Sequence, residues 1–420
     1  MIRTPWYYGW NIVAIAVLYQ SVIWGIGLSS FTYFVHDWMA AFHVGRAQIM
    51  IALSLEILLV GALAPLAGHL LDRLSTTMLV TFAVLCFGMG MFLISIATAL
   101  WQIIVVYTLL LSVGMTLAGP LSATTLVVRW FRARRGLAMG FALLGSPLGA
   151  IAIPQLVTRW MVGDNWRGTH VYLGLICIAL LPIVLLIVRG SPAVAGIEIE
   201  ADSPRTAALE AKRPQQTWSI QQVIKTPAIW IIVCAFVPLS ITNLGMSGNL
   251  APFALDLGLT RPQVGALVPI IGALGFLAKL AFGSLSDRID ARILFYTSVV
   301  FVAAALIMMC QKPGFQMMMA ACGIFGFGEG AALVLIGVMV AARFGSEAYG
   351  TAVGIVYFFV MTLAALGPII GGYLRDVTGT YTAMCLVMLA MLFPAALAIT
   401  LLRAPTRKAR PPKLALNPNQ

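Results

Sequence analysis

The sequence predicts an all-α membrane protein with twelve transmembrane helices, and three observations carry that expectation. Only 10% of the 420 residues are charged while 61% are apolar, giving a mean hydropathy of +0.97. A soluble domain carries roughly 25% charged residues, so this chain cannot cover itself with a water-facing surface. The apolar residues gather into a dozen runs, each long enough for the roughly 20 residues that a membrane-crossing helix needs. None of the runs alternates with a period of two, which argues against a closed β-barrel, the other structure that satisfies its backbone in lipid.

In chain order the first six runs fall near residues 8–35, 47–70, 77–98, 101–128, 136–161 and 168–188. The first opens on WYYGWNIV (6–13), where an interfacial aromatic belt leads directly into a span with no recognisable cleaved signal before it. The second six fall near 227–255, 263–286, 291–310, 314–342, 348–374 and 380–402. Several exceed about 25 residues, which implies tilted or bent helices. Residues 189–226 form the one long hydrophilic stretch, with Glu198, Glu200, Asp202, Arg205, Glu210, Lys212 and Arg213. We expect two six-helix halves, 1–188 and 227–402, joined by a cytoplasmic linker at 189–226 and followed by a cytoplasmic tail at 403–420.

The net charge of +12 raises the question of nucleic acid, but its placement answers otherwise. With the N-terminus inside, 19 of the 26 Lys and Arg residues fall on the cytoplasmic side, 6 on the other, and Lys279 within a span. That bias puts both termini in the cytoplasm and makes the basic character a matter of topology and attraction to anionic lipid. Arg132, Arg134 and Arg135 form one such loop cluster. The six cysteines sit inside apolar runs without a CxxC pair, so they read as small packing residues, with no disulfide, metal or cofactor expected.

The two halves match at an offset of 214–215 residues. GHLLDR (68–73) corresponds to GSLSDR (283–288), GLAMG (136–140) to GTAVG (350–354), and Arg129 to Arg343. Three matches in the same topological positions indicate a parallel duplication, which builds carriers whose halves rock about a central site. The pattern Gly-x-Leu-x-Asp-Arg occurs as Gly68, Leu70, Asp72 and Arg73, and again as Gly283, Leu285, Asp287 and Arg288. On these residues the chain resembles the major facilitator superfamily over essentially its whole length. The resemblance implies the major facilitator fold, with these six Gly, Asp and Arg residues in conformational gating. Glycine permits close helix approach, and we expect Asp and Arg to form a charge lock at the helix ends. Ser75, Thr76 and Thr77 stand where the family continues with Gly-Arg-Lys.

WYYGWNIV, RWFRARRGLAMG (129–140), and a cation in the eighth span ahead of Gly-x-Leu-x-Asp-Arg are similar to the monocarboxylate porters and oxalate/formate-type antiporters. That group usually has Arg where this chain has Lys279, and often Asp where it has Gly275. The resemblance implies transport of a small organic carboxylate.

Three ionisable residues lie deep within expected spans: Glu56, Lys279 and Glu329. Each costs about 2.5–3.5 kcal/mol at a helix centre, so a functional role is the default. Lys279 is expected to face a central cavity and bind substrate carboxylate; the alternative is a side chain snorkelling to the cytoplasmic interface. Glu329, between Gly328 and Gly330, is expected to carry the coupled proton, since a carboxyl can hold a proton when dry and release it when hydrated. Its alternatives are a static pair with Lys279 or a neutral, hydrogen-bonded acid. Glu56 reads either as a second coupling residue or as a neutral packing acid. Asn243 and Asn249, at an apparent break in the seventh span, and Tyr357 are further substrate-binding candidates; helix capping and core packing are their alternatives. His36 and Asp37 read as a solvated helix end or an entry site.

No Gly-x-Ser-x-Gly, HExxH or GxxxxGK[ST] motif is present, so neither catalytic residues nor a nucleotide site are expected. The expected activity is secondary transport of small organic anions across the cytoplasmic (inner) membrane by alternating access, as a monomer, coupled to protons. The alternatives are anion exchange, efflux of hydrophobic cations, and a non-transporting membrane sensor.

Overall fold

The computed structural model describes residues 6–132, 134–161, 165–193, 196–197 and 220–402. Most of the expected linker and the whole 403–420 tail lie outside the described residues. Twelve helices among the described residues are long and apolar enough to cross a membrane. In the first half they are α1 (Gly9–Ser29), α2 (Gln48–Arg73), α3 (Thr76–Ser95), α4 (Leu100–Trp130), α5 (Arg135–Trp160) and α6 (Trp166–Ile187). The second half holds α7 (Pro227–Asp256), α8 (Pro262–Ser286), α9 (Ala291–Cys310), α10 (Phe315–Phe344), α11 (Tyr349–Thr378) and α12 (Thr382–Thr400). A separate helix, Phe31–Phe42, follows α1 and carries His36 and Asp37.

Helices α3, α6, α9 and α12 present apolar side chains outward, among them Met89, Leu186, Val300 and Phe393. Lipid is the solvent that makes such a surface stable. The remaining eight helices meet around the centre, and the halves touch along two seams, α2 with α11 and α5 with α8. Both seams are built on missing side chains. A Cβ on Gly68 would lie 1.9 Å from the Gly350 carbonyl oxygen, and one on Gly136 would lie 2.3 Å from that of Gly283. Only glycine lets the backbones come that near.

Each seam ends in the same polar contact. The Asp72 carboxylate accepts hydrogen bonds from the backbone N–H of Gly350 (2.9 Å) and Thr351 (2.7 Å), at the start of α11. Asp287 accepts from Gly136 (2.6 Å) and Leu137 (3.0 Å), at the start of α5. Asp287 stands 215 positions after Asp72, and Gly350 stands 214 after Gly136, so the duplication seen in the sequence is a pair of reciprocal contacts in space. The first N–H groups of a helix lack internal partners and carry partial positive charge, which is why a carboxylate settles there.

This corrects the expected Asp–Arg charge lock. Arg73 and Arg288 are exposed and, among the described residues, join no hydrogen bond or ion pair. The aspartates bind the opposite half's helix starts instead. Arg129 braces the seam from within its own half, donating to Thr76 Oγ1 and the Leu71 carbonyl. Burial pushes the Asp287 carboxyl above its ordinary range, while the Gly136 and Leu137 N–H groups and the Arg134 and Arg135 guanidiniums pull it down.

Both seams lie at the end of the bundle that carries Arg73, Arg129, Arg288 and Arg343, the basic end. Beyond them α5 and α11 turn back to their own halves. Gly149 packs against α1 at the Ser21 carbonyl, and Gly367 against α7 at the Ile241 carbonyl. No comparable contact joins α8 to Gly145–Trp160 or α2 to Leu366–Thr378. The bundle is therefore closed at its basic end and parts toward the other.

Candidate functional site

Where the halves part they enclose a cavity of about 470 Å³, lined by α1, α2, α4 and α5 on one side and α7, α8, α10 and α11 on the other. Its wall is apolar or glycine except for Trp24, Ser240, Asn243, Lys279 and Glu329, and the Trp24 indole N–H is already spent on the Met115 carbonyl at 3.3 Å. Volume and composition both suit a small molecule oriented by a few polar groups.

Lys279 comes to this cavity through the α5–α8 seam. A Cβ on Gly140 would lie 2.5 Å from the Lys279 carbonyl, so its absence lets α5 pack against the lysine backbone at the level where the halves separate. The side chain is half-buried and lines the cavity. Among the described residues the ammonium has no hydrogen bond and no carboxylate within 4.0 Å. Of the two placements left open by the sequence, the structure has the cavity rather than the cytoplasmic interface.

Glu329 arrives from α10. A Cβ on Gly330 would lie 2.5 Å from the Gly275 carbonyl, so α8 and α10 touch backbone to backbone beside the glutamate. The helical run Phe315–Gly330 ends there, and Ala332–Phe344 begins after a one-residue interruption at Ala331. Asn243 of α7 is a polar neighbour of the carboxyl and lines the same cavity, while Oε1 has no hydrogen-bond partner among the described residues. Lys279 follows Gly275 by one helical turn, so ammonium and carboxyl flank one contact without forming a salt bridge. The static pair raised by the sequence is absent.

Five candidates lie elsewhere. Asn249 is buried and donates from Nδ2 to the carbonyls of Gly245 (2.9 Å) and Pro368 (3.2 Å), tying α7 to α11. The expected break near it does not occur: α7 runs unbroken through both asparagines, Pro238 and Pro252. α10 is interrupted instead, where glycines flank Glu329, as are α4, α5 and α11 at residues 118–119, at 143–144 and at Ala365. Tyr357 is packed within α11's buried face, its hydroxyl without a partner among the described residues. Glu56 is wholly buried behind the cavity wall. His36 and Asp37 line a small separate surface pocket with Trp166.

Sequence reasoning missed Trp24, Ser240 and Phe276. Trp24 carried a usable signal, because tryptophan favours the membrane interface and this one stands mid-span. Phe276 and Ser240 are indistinguishable in sequence from ordinary packing residues.

The family model described as Major Facilitator Superfamily matches residues 13–275 and 239–418. Monocarboxylate transporter 12 of Rattus norvegicus is 27% identical over 355 residues, covering 79% of this chain and 72% of its own. Monocarboxylate transporter 13 of the same species is 26% identical over 390 residues, covering 92% and 86%. MFS-type transporter 1 of Ophiocordyceps is 25% identical over 408 residues, covering 91% and 84%. Among solved structures, the proton:xylose symporter XylE superposes with a TM-score of 0.72 at 13% identity, covering 93% of this chain and 94% of its own. The E. coli fucose:proton symporter FucP gives 0.65 at 13%, covering 94% and 99%. At such identity these two speak for the fold alone.

Proposed function

This chain belongs to the major facilitator superfamily, and on that premise we propose that it carries a small organic monoanion across the bilayer by alternating access, together with a proton. The basic end is the cytoplasmic one, so the closed seams face the cytoplasm and the cavity faces outward. Lys279 binds the substrate carboxylate, and Glu329 holds the proton.

The observation that supports this most is Lys279 lining an apolar cavity, its ammonium with no carboxylate within 4.0 Å among the described residues. A cation in such a place needs a counter-charge. At 4 Å and an effective dielectric of about 20 the attraction to a carboxylate is about 4 kcal/mol, enough to select anions. Lysine is a point charge rather than a fork, so it accepts carboxylates of varied shape, and the apolar wall takes the rest of the molecule. That two relatives are named monocarboxylate transporters supports the same chemistry.

Charge balance then provides coupling. With Glu329 protonated and an anion on Lys279, the cavity is neutral and can leave water. With the anion released and Glu329 ionised, Lys279 and Glu329 neutralise each other and the empty carrier can return. The states with one unbalanced charge remain open to solvent. Proton and anion therefore travel together, and an anion can exchange for another without net proton movement.

Uptake of a monocarboxylate panel (lactate, pyruvate, benzoate) into proteoliposomes, with and without an inward proton gradient, tests this. Gradient-stimulated uptake is expected. Uptake equal under both conditions would replace symport by exchange, and no uptake in either would end the organic-anion reading.

A further inference from the structure

Glu56 plays no part in the scheme above, yet its surroundings are unusual. It is 0% exposed, and neither carboxyl oxygen has a hydrogen-bond partner among the described residues. Its neighbour in sequence, Ile57, lines the cavity, as does Met115. On the α1 side stands Gly27: a Cβ there would lie 3.3 Å from Glu56 Oε1 and 2.7 Å from Met115 Sδ. The carboxyl and a cavity-lining side chain thus meet at the same glycine.

The groups facing it cannot hold a carboxylate. α1 contributes glycine. From α4, Ser112 Oγ donates to the backbone carbonyl of Glu56 at 3.4 Å and not to its carboxyl, and Tyr107 is a titratable neighbour. α11 meets α2 nearby through Met361 and Thr362, neither charged. The helix Phe31–Phe42 carries His36 and Asp37, which belong to the surface pocket. A bare carboxylate in such a place is prohibitively costly, so the side chain is a neutral acid, and even its O–H goes unsatisfied. Leucine would serve packing better. Buried polar groups without partners are rare enough in native structures to call for a functional reason.

The backbone around it supplies one. Both helices that cover Glu56 depart from α geometry at that level, as π-helical segments at Gly25–Ser29 in α1 and Tyr107–Leu111 in α4. Such wide turns are uncommon and concentrate where a helix repacks in function. Gly27 lies inside the first and Tyr107 opens the second.

We propose that Glu56 is a second proton-binding site, distinct from the substrate cavity, loaded and sealed while the basic end is closed and opened to water when α1 and α4 repack at their π segments. Loading forms an O–H bond with a proton delivered by water from the cavity, and opening breaks it and returns the proton to water. Its occupancy sets the pH dependence of the conformational equilibrium. The site rests on the proton-coupled reading only for its physiological use, since its protonation and its effect on conformation can be read without substrate.

The test uses the purified full chain in lipid nanodiscs, by infrared spectroscopy across the neutral pH range. Wild type should show the high-frequency carbonyl band of a carboxylic acid without hydrogen bonds. Glu56→Gln should abolish it and Glu329→Gln should leave it. In proteoliposomes, a reporter cysteine at Ser240, in a background lacking the native cysteines, should react with a membrane-impermeant thiol reagent from both sides in wild type, in a ratio that shifts with pH. With Glu56→Gln it should react from the outward side only, at least tenfold faster than from the other, at every pH. Glu56→Leu, which fills the same space without a titratable group, must give the same locked pattern and guards against a folding artefact. A band that survives Glu56→Gln, or labelling that still follows pH in both variants, overturns the proposal. Absence of monocarboxylate uptake would defeat the substrate reading and leave these readouts intact.

Discussion

Replacing Gly68 by alanine adds one methyl group and should release the seam at the basic end. The new Cβ would stand 1.9 Å from the Gly350 carbonyl oxygen, a backbone atom that cannot rotate away. Relief to 3.0 Å requires α2 and α11 to part by about 1.1 Å at that level, a displacement larger than packed interiors absorb. Asp72 sits one turn further along and holds Gly350 N and Thr351 N at 2.9 and 2.7 Å. The same displacement carries both bonds to the limit of hydrogen bonding or beyond. Hydrogen bonds to charged groups contribute about 1.5–3 kcal/mol each, so losing one shifts the equilibrium between closed and open forms of the basic end by about tenfold to 150-fold. The assay is the rate at which a cysteine at Ser240, in a background lacking the native cysteines, reacts with an impermeant thiol reagent from either side of proteoliposomes. Gly68→Ala should raise cytoplasmic-side labelling by at least tenfold. Gly265→Ala, where a Cβ meets nothing within 4 Å, should not. Asp72→Ala, which keeps the glycine contact and removes the acceptors, should act in the same direction as Gly68→Ala. Unchanged sidedness in both Gly68→Ala and Asp72→Ala, with the proteins still folded, would refute the reasoning.

Glu329→Gln keeps shape and removes the titrating proton, so uptake should lose its stimulation by a proton gradient while anion-for-anion exchange persists; measuring both fluxes in the same vesicles checks this. Asn249→Ala should act on stability alone. Of its bonds to Gly245 and Pro368 the second is interhelical, and losing such a bond costs about 0.6 kcal/mol, up to about 1.7. The thermal midpoint should therefore fall while anion affinity stays within about twofold. A large affinity change would return Asn249 to the binding site.

The helices and their duplication were legible in the sequence because both rest on patterns that lipid and repeat enforce. Apolar runs had to be helices, and the 214–215 offset reappears as Asp72 on α11 and Asp287 on α5. Lys279 and Glu329 stood out because a charge amid apolar residues has few explanations. What the sequence could not tell is what each polar group meets in space. Asp72 and Asp287 seek N–H groups of the other half, not the adjacent Arg73 and Arg288, because a helix start offers unpartnered donors and solvated arginines do not. Asn249 looked like a cavity residue, yet one helical turn and a facing Pro368 carbonyl make it a clasp. The break expected in α7 is absent, since prolines can be absorbed in a long membrane helix, while the glycines around Glu329 permit one of the interruptions found in other spans. The cavity's Phe276 and Ser240 come from packing between the halves, which no local pattern encodes.

The most direct measurement is equilibrium binding of a monocarboxylate to purified protein, comparing wild type with Lys279→Ala and Lys279→Arg. Removing an interaction of about 4 kcal/mol, partly recovered by water in the emptied space, should weaken binding by at least a hundredfold in Lys279→Ala. Lys279→Arg, which keeps the charge, should bind to within about tenfold of wild type. Equal affinity in wild type and Lys279→Ala, with both variants folded, would contradict the assignment of the cavity ammonium as the anion-binding group.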